Sequence, residues 1–375
     1  MPALRPDIDP DGLLEYSVVF TDRSLNHMSE SFQAVMHDIH ATLCEVYNAE
    51  RAVVVPGGGT YAMEAVARQF ATGRKVLVIR NGFFSFRWTQ IFEAGSIPAS
   101  ETVMKARRQG EGADAPFAPC PIDEVVAAIR AEKPDLVFAP HVETASGIIL
   151  PDDYIRAVAD AVHENGGLFV LDCVASGCVW VDMQASGVDV LISAPQKGWS
   201  APPCAGLVMM NEAALEKCRA TQSTSFAADL GKWLTIMEAY LGGGFAYHAT
   251  MPTDALKVFR NAMLETRQIG FDTLCKAQWE QGDGVRKMLA ERGVRSVAAE
   301  GFGAPGVVVC HTDDPAVQNG SKFVAEGLQI AAGVPLMVDE GPDYRSFRLG
   351  LFGLDKLKDV PASLERLKAA FDKVL

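Results

Sequence analysis

Several features of specialised proteins are missing from this 375-residue sequence. No apolar run approaches the roughly 18 residues that a transmembrane helix needs. Positive charge is scarce, because 47 Asp and Glu outnumber 34 Lys and Arg and give a net charge of −13. A negatively charged surface is repelled by nucleic acid and by anionic membranes. We therefore expect neither of them to be a main partner.

The eight cysteines are scattered, and no two of them have Cys-x-x-Cys spacing. In a chain of this length, that pattern indicates reduced, mostly buried thiols. His37 and His40 fit one helix face, but no third ligand is near them in the sequence, so we predict no metal site. Residues 1–7 include two prolines and an aspartate where a signal peptide needs an apolar region, and residues 373–375 are not the Ser-Lys-Leu peroxisomal signal. We expect a cytoplasmic protein.

Helical and extended patterns alternate along the first part of the chain. Apolar residues at helical spacing, with turn residues between them, predict four helices, at 29–47, 61–70, 121–131 and 151–164. Short apolar runs predict six strands, at 52–55, 76–79, 136–139, 168–171, 188–192 and 206–210. This alternation predicts an α/β fold with a largely parallel sheet that helices cover on both faces.

The pattern changes beyond about residue 253. Residues 253–292 contain few helix breakers and are predicted to be mostly helical. Two strands and two helices then predict a small α+β domain, the strands at 306–310 and 346–350 and the helices at 322–332 and 361–374. The expected division of the chain is an N-terminal arm at 1–15, a large domain at 16–255, and a connecting helix with the small domain at 256–375.

Two charged residues follow predicted strands. Asp172 directly follows the strand at 168–171, and Lys197 lies shortly after the strand at 188–192. Ligands of open α/β sheets bind beyond the carboxyl ends of the strands, so both side chains are expected in one crevice. Pyridoxal 5′-phosphate (PLP) needs such a lysine for a Schiff base and such a carboxylate to keep its pyridine nitrogen protonated. A lone lysine after a strand is otherwise typical of a solvated loop, so neighbouring motifs decide the interpretation.

A glycine-rich turn, Gly57-Gly58-Gly59-Thr60, joins another predicted strand to a helix. Glycines let the backbone approach a phosphate, and a helix start offers free N–H groups and a partial positive charge. The spacing matches neither G-x-G-x-x-G nor the Walker pattern, which disfavours nucleotide binding. Three glycines can also form a tight turn that binds nothing.

Two further segments follow strand ends. Asn81-Gly82-Phe83-Phe84 offers an aromatic side chain that stacks either on a flat cofactor ring or in the core. The segment 141–147 supplies hydroxyls, including that of Thr144, which are expected beside the same crevice near a ring oxygen of the cofactor.

Together these motifs resemble the class V aminotransferases of PLP fold type I, most closely their alanine–glyoxylate and serine–pyruvate branch. The resemblance covers roughly residues 25–355. It implies PLP as cofactor, a large domain with a mostly parallel seven-stranded sheet, and a small C-terminal α+β domain. The motifs are, in order, Gly59-Thr60 before Met63-Glu64-Ala65, Asn81-Gly82 with an aromatic two residues on, His141-x-Glu143-Thr144-x-Ser146-Gly147, Asp172, Gln196-Lys197 before Ala201-Pro202-Pro203, Tyr247-His248-x-Thr250-x-Pro252 and Phe347-Arg348-Leu349-Gly350.

The resemblance also implies roles for single residues. Lys197 would carry PLP as a Schiff base and move a proton between the substrate α-carbon and the cofactor. Asp172 would pair with the pyridine nitrogen, Phe84 would stack on the ring, and Thr144 would lie near its oxygen. Arg348 would hold the substrate carboxylate, which suits the planar fork of a guanidinium. Without the family, a surface salt bridge would be the simpler interpretation of Arg348.

The phosphate group would have ligands from two subunits. Within one chain they would be Gly58, Gly59, Thr60 and Gln196. Tyr247 and Thr250 match positions that, in the family, reach the phosphate of the neighbouring subunit. The resemblance therefore implies a homodimer with shared active sites.

The sequence departs from the family in the segment that usually lines the substrate pocket. A Pro-Gly-Pro turn is replaced by bulky and charged residues at 18–24, among which Asp22 and Arg23 are candidates for contacting an unusual substrate. The expected reaction moves an amino group from a small amino acid of the alanine or serine type to a 2-oxo acid such as glyoxylate or pyruvate. The alternatives are another amine such as 2-aminoethylphosphonate, a class V lyase, and a PLP-binding protein without turnover.

Overall fold

Strands and helices alternate along the computed structural model, which describes all residues from Met1 to Leu375. The strands are β1 Arg51–Pro56, β2 Lys75–Arg80, β3 Ser100–Lys105, β4 Arg107–Arg108, β5 Phe117–Ala118, β6 Leu136–Pro140, β7 Val142–Glu143, β8 Ile148–Ile149, β9 Leu168–Asp172, β10 Val190–Ser193, β11 Ala205–Met210, β12 Val307–His311, β13 Ala331–Ala332 and β14 Ser346–Gly350. The helices are α1 Glu30–Tyr47, α2 Gly59–Val66, α3 Phe83–Gly95, α4 Ile122–Glu132, α5 Asp152–His163, α6 Met183–Ser186, α7 Glu212–Ala220, α8 Leu230–Leu241, α9 Thr253–Ile269, α10 Phe271–Ala290, α11 Pro315–Gln318, α12 Ser321–Ala325, α13 Leu354–Leu357 and α14 Val360–Val374.

Seven strands form the main sheet, in the order β1-β11-β10-β9-β6-β2-β3. The five strands from β10 to β3 are mutually parallel, whereas β11 is antiparallel to both of its neighbours. Every residue of β6, β9 and β11 is buried, as expected for strands covered on both faces. The α/β class and the mostly parallel seven-stranded sheet are therefore confirmed.

A cluster of aromatic side chains anchors the loop that follows β10. Trp199 is completely buried, and its ring centroid lies 4.7 Å from that of Trp180 and 6.2 Å from that of Phe259. Gly198 precedes Trp199, and a Cβ atom on Gly198 would lie only 2.1 Å from the carbonyl oxygen of Gly177. The backbone beside residue 197 is thus fixed by packing on one side and by a close backbone approach on the other.

A second, smaller sheet lies in the C-terminal part of the chain. Its three antiparallel strands have the order β12-β14-β13, and α10 and α14 pack against each other nearby.

The predicted domain limits stay predictions. None of the helices combines the length and the apolar character needed to cross a membrane. All eight cysteines carry free thiols, and six of them are buried.

The structure corrects one prediction for this C-terminal part. The helix predicted at 322–332 is wrong, because α12 ends at Ala325 and Gly327 takes a left-handed conformation with φ of 76°. Ala331 and Ala332 then pair with β14 as an edge strand. The prediction that residues 253–292 are mostly helical is confirmed, and Gly270, whose φ is 103°, separates this stretch into α9 and α10.

Gly206 allows α2 to pack closely on β11. A Cβ atom at this position would lie 2.4 Å from the Cβ of Ala62 and 2.7 Å from the carbonyl oxygen of Gly58. Gly206→Ala is therefore expected to lower the free energy of unfolding by about 1–3 kcal/mol, since overpacking forces the backbone apart. Urea denaturation followed by circular dichroism measures it. Gly244→Ala, whose Cβ would come no closer than 3.6 Å to any atom, is the matched control, and equal stability of the two variants would contradict the close packing.

Candidate active site

A cavity of about 350 Å³ lies where several strands of the main sheet end. Its volume is within the ~300–1,000 Å³ usual for ligand and cofactor sites. Parts of its lining come from the residues after β1, β6, β9 and β10, so the cavity is at the edge where the sequence places the crevice. Eight predicted site residues line it, namely Gly59, Thr60, Phe84, Thr144, Asp172, Gln196, Lys197 and Arg348.

Asp172 is the carboxylate at the end of β9. Its backbone pairs with Pro140 of β6 and Ile192 of β10, so it is held between two parallel neighbours. Its side chain is only 8% exposed, and Oδ1 accepts one hydrogen bond, 2.9 Å from the amide nitrogen of Val174. Burial raises its pKa to about 6, and the nearby negative charge of Glu143 acts in the same direction. A buried carboxylate with so few partners is suited to a cationic ligand.

Lys197 is the amine of the cavity. Its Nζ makes no hydrogen bond or ion pair within the chain and lies 5.3 Å from the ring centroid of Phe352. Burial lowers the pKa of the half-buried ammonium group, and the positive charge of Arg348 lowers it further. An amine whose pKa is lowered in this way is deprotonated more easily and can act as a nucleophile or a base.

Arg348 enters the cavity from β14. Its Nε donates a hydrogen bond to the carbonyl oxygen of Ala332 at 2.8 Å, and both terminal nitrogens have no partner within the chain. Burial lowers the pKa of its guanidinium. The simpler interpretation, a surface salt bridge, is not what the structure has. A fixed guanidinium with two free terminal nitrogens is suited to a carboxylate or a similar anion.

Glu143 fixes the start of α3, which carries Phe84. This buried carboxylate accepts hydrogen bonds from the backbone N–H groups of Phe84 at 3.1 Å and Ser85 at 2.8 Å. Its negative charge also complements the positive end of the helix. Gly82 lets it come this close, because a Cβ there would lie 2.7 Å from the Cγ of Glu143. Sequence reasoning included Glu143 in a motif without giving it this role.

Arg87 is a lining residue that sequence reasoning missed. Its Nη1 donates a hydrogen bond to Oγ1 of Thr60 at 2.9 Å, and its Cζ lies 5.1 Å from the ring centroid of Phe84. The sequence offered one signal for it. Arg87 follows Phe84 by three residues, and residues three apart on a helix lie on the same face.

Three predicted site residues do not line this cavity. Gly58 is the N-cap residue of α2, next to the lining residue Gly59. Tyr247 is 55% exposed, and its hydroxyl lies 3.1 Å from that of Thr250. Thr250 lines a different cavity, together with residues of the segment predicted to be unusual. Within this chain, neither Asp22 nor Arg23 lines the cavity of Lys197.

Comparison with known proteins identifies the family. The chain matches the class V aminotransferases over residues 13–295 and belongs to this family. It is 27% identical over 279 residues to the alanine–glyoxylate aminotransferase of Rattus norvegicus. The aligned residues cover 73% of this chain and 64% of the rat protein. It is 29% identical over 221 residues to the 2-aminoethylphosphonate–pyruvate transaminase of Vibrio vulnificus. The aligned residues cover 58% of this chain and 56% of that protein. The chain thus spans less than two thirds of the length of these relatives.

The fold resembles that of a solved aminotransferase. The crystal structure of an alanine–glyoxylate aminotransferase from Nostoc sp. superposes with a TM-score of 0.78 at 24% identity. The match covers 93% of this chain and 89% of the Nostoc protein. The PLP-dependent aminotransferase fold is therefore confirmed.

The raised pKa of Asp172 predicts a pH-dependent effect of Asp172→Asn on the cofactor-free protein. Since the folded pKa of about 6 exceeds the ordinary value of 3.8, folding favours the protonated acid, and this stabilisation is lost as the pH rises through about 6. The stability of the variant relative to wild type should therefore rise by about 2–3 kcal/mol between about pH 4 and pH 8. Urea denaturation at both pH values measures it. Asp343→Asn, at an exposed position, should show no such change, and a pH-independent effect of Asp172→Asn would contradict the uncompensated burial.

Proposed function

We propose that the protein is a PLP-dependent aminotransferase that transfers an amino group from a small amino acid to a 2-oxo acid such as glyoxylate or pyruvate. The observation that carries the proposal is one cavity that brings together Lys197, Asp172 and Arg348. These three side chains come from two strand ends of the main sheet and from the second sheet. They supply the amine, the carboxylate and the anion-binding guanidinium that this chemistry needs.

The residues of the cavity fit PLP. The carboxamide of Gln196 has a buried Oε1 without any partner, which leaves this side chain available to a ligand. Gly59 starts α2 and lines the cavity, and a Cβ there would lie 2.8 Å from a methyl carbon of Val174, so only glycine lets the start of α2 pack this closely against the segment after β9. Thr60 adds a hydroxyl, and the first turn of α2 adds N–H groups for a phosphate. Asp172 would accept a hydrogen bond from the protonated pyridine nitrogen.

Each charged residue then has a defined task. PLP, when bound, supplies an electron-withdrawing ring that stabilises the carbanion left when the substrate α-carbon loses its proton. Asp172 holds a proton on the ring nitrogen by opposite charge. Lys197 attaches the cofactor and, with its lowered pKa, moves the proton at the α-carbon. Arg348 orients the substrate through its two free terminal nitrogens.

A second substrate class is favoured by the same guanidinium. The hydrogen-bond donors of Arg348 suit a phosphonate in addition to a carboxylate. The Vibrio relative is named a 2-aminoethylphosphonate–pyruvate transaminase. This amine is therefore the second candidate donor beside alanine and serine.

We further propose a homodimer with shared sites. Tyr247 and Thr250 do not line the cavity of their own chain, and Tyr247 is more than half exposed. Both facts fit a role in the site of a second copy, as the family resemblance implies. The cytoplasm stays the expected compartment.

Absorbance spectra test the proposed activity. The protein with PLP is expected to absorb at about 410–430 nm, as lysine-attached PLP does, and to lose this band when a true amino donor is added. L-Alanine, L-serine and 2-aminoethylphosphonate are added separately, and the 2-oxo product is assayed. Lys197→Ala should lack the band, whereas Lys276→Ala, at a lysine outside the cavity, should keep it. A wild-type protein without the band would overturn the proposal, and a band that no amine changes would exclude transamination of these donors.

Mixing two impaired variants tests the shared site. Lys197→Ala removes the amine, and the double variant Tyr247→Phe, Thr250→Val removes the hydroxyls proposed to act in the other subunit. In a mixed dimer, one of the two sites has both sets of residues intact. Co-expression with two affinity tags should therefore restore activity that neither variant has alone at limiting PLP. Purified mixed dimers without such a gain would contradict the exchange of Tyr247 and Thr250 between subunits.

A further inference from the structure

We propose that Arg87 is a ligand of the cofactor phosphate and the residue that balances its charge. This inference rests on the proposed use of PLP. It adds a cation to a phosphate site whose other predicted ligands within the chain, Gly58, Gly59, Thr60 and Gln196, are all uncharged.

The position of Arg87 supports the proposal. It lies on the first turns of α3, three residues after Phe84, and is half buried at the cavity wall. Its Nη1 donates to Oγ1 of Thr60 at 2.9 Å, which is the hydroxyl predicted to bind the phosphate. It forms no ion pair within the chain, so its remaining N–H groups and its charge are available.

The charge of a phosphate favours such a residue. A doubly charged group in a partly enclosed cavity needs positive charge as well as hydrogen bonds. The first turn of α2 supplies about half an elementary charge. Lys197 is required for attachment of the cofactor, and Arg348 is free for the substrate. Arg87 is the remaining cation among the lining residues.

The two arginines have different partners in the cavity: the Cζ atoms of Arg87 and Arg348 lie 5.1 and 5.6 Å from the ring centroid of Phe84, but only Arg87 is hydrogen-bonded to Thr60. The charge of Arg348 lowers the pKa of Lys197, whereas the charge of Arg87 lowers the pKa of Asp172. Asp172 is the proposed partner of the ring nitrogen, and Thr60 is the proposed partner of the phosphate. Arg87 thus contacts the proposed phosphate partner and acts on the proposed partner of the ring nitrogen, and both of these are groups of the cofactor rather than of the substrate.

Ligands with and without the phosphate group separate this role from a structural one. Pyridoxamine 5′-phosphate and pyridoxamine bind without forming a covalent bond and differ only in the phosphate. Arg87→Gln is expected to weaken binding of the phosphorylated ligand by about 10- to 100-fold, because it removes a charge-assisted contact with the phosphate. Binding of pyridoxamine should stay unchanged. Titration followed by fluorescence gives both dissociation constants, and Arg87→Lys should restore part of the difference.

Arg348→Gln is the matched control from the same cavity. It should leave the ratio of the two dissociation constants at the wild-type value while raising the KM for the amino donor. Equal weakening of both ligands in Arg87→Gln would show a structural role and overturn the inference. An unchanged ratio with a raised KM would also overturn it, since Arg87 would then bind the substrate. If the wild-type protein bound neither PLP nor pyridoxamine 5′-phosphate, the proposed function would fail first.

Discussion

The negative charge buried at the end of β9 is the constraint on which the rest of the site depends. Asp172 is held between β6 and β10 and has a single hydrogen bond, from the backbone of Val174. Such a group is unfavourable in a folded chain unless a positive charge meets it. Lys197, Arg87 and Arg348 line the same cavity, but none of them forms an ion pair with this carboxylate, so its charge is left for a ligand to meet. A cofactor with a cationic ring nitrogen and an anionic phosphate has the complementary pattern.

The sequence was sufficient for those parts of the site that are fixed by strand order. Asp172 and Lys197 could be placed together because the carboxyl ends of parallel strands meet at one edge of the sheet. The role of Glu143 could not be predicted, since it depends on how α3 is seated against β7. Arg87 was missed for a related reason. Its contact with Thr60 joins residues of two helices that are 27 positions apart in the sequence, and no local pattern encodes that contact.

The small sheet shows the limit of periodicity as a signal. Residues 322–332 have a composition that fits a helix, but the left-handed Gly327 ends it early and the following segment pairs with β14. This pairing brings Ala331 to the wall of the cavity and fixes Arg348 through the carbonyl of Ala332. A long-range strand partner thus overrode a local helical preference. Tyr247 and Thr250 mark a further limit, because a single chain does not contain the surroundings in which their predicted role would operate.

The anchored loop after β10 has a consequence for how the cofactor is received. Trp199 is locked among aromatic rings, and Gly198 rests against the backbone of Gly177. The main chain that presents the amine is therefore held in place by contacts within the chain. At this position, the cofactor orders the flexible lysine side chain rather than the main chain, and that loss of conformational entropy is about 2 kcal/mol at most. The site is preorganised, so most of the interaction energy of its hydrogen bonds and charges remains available as affinity.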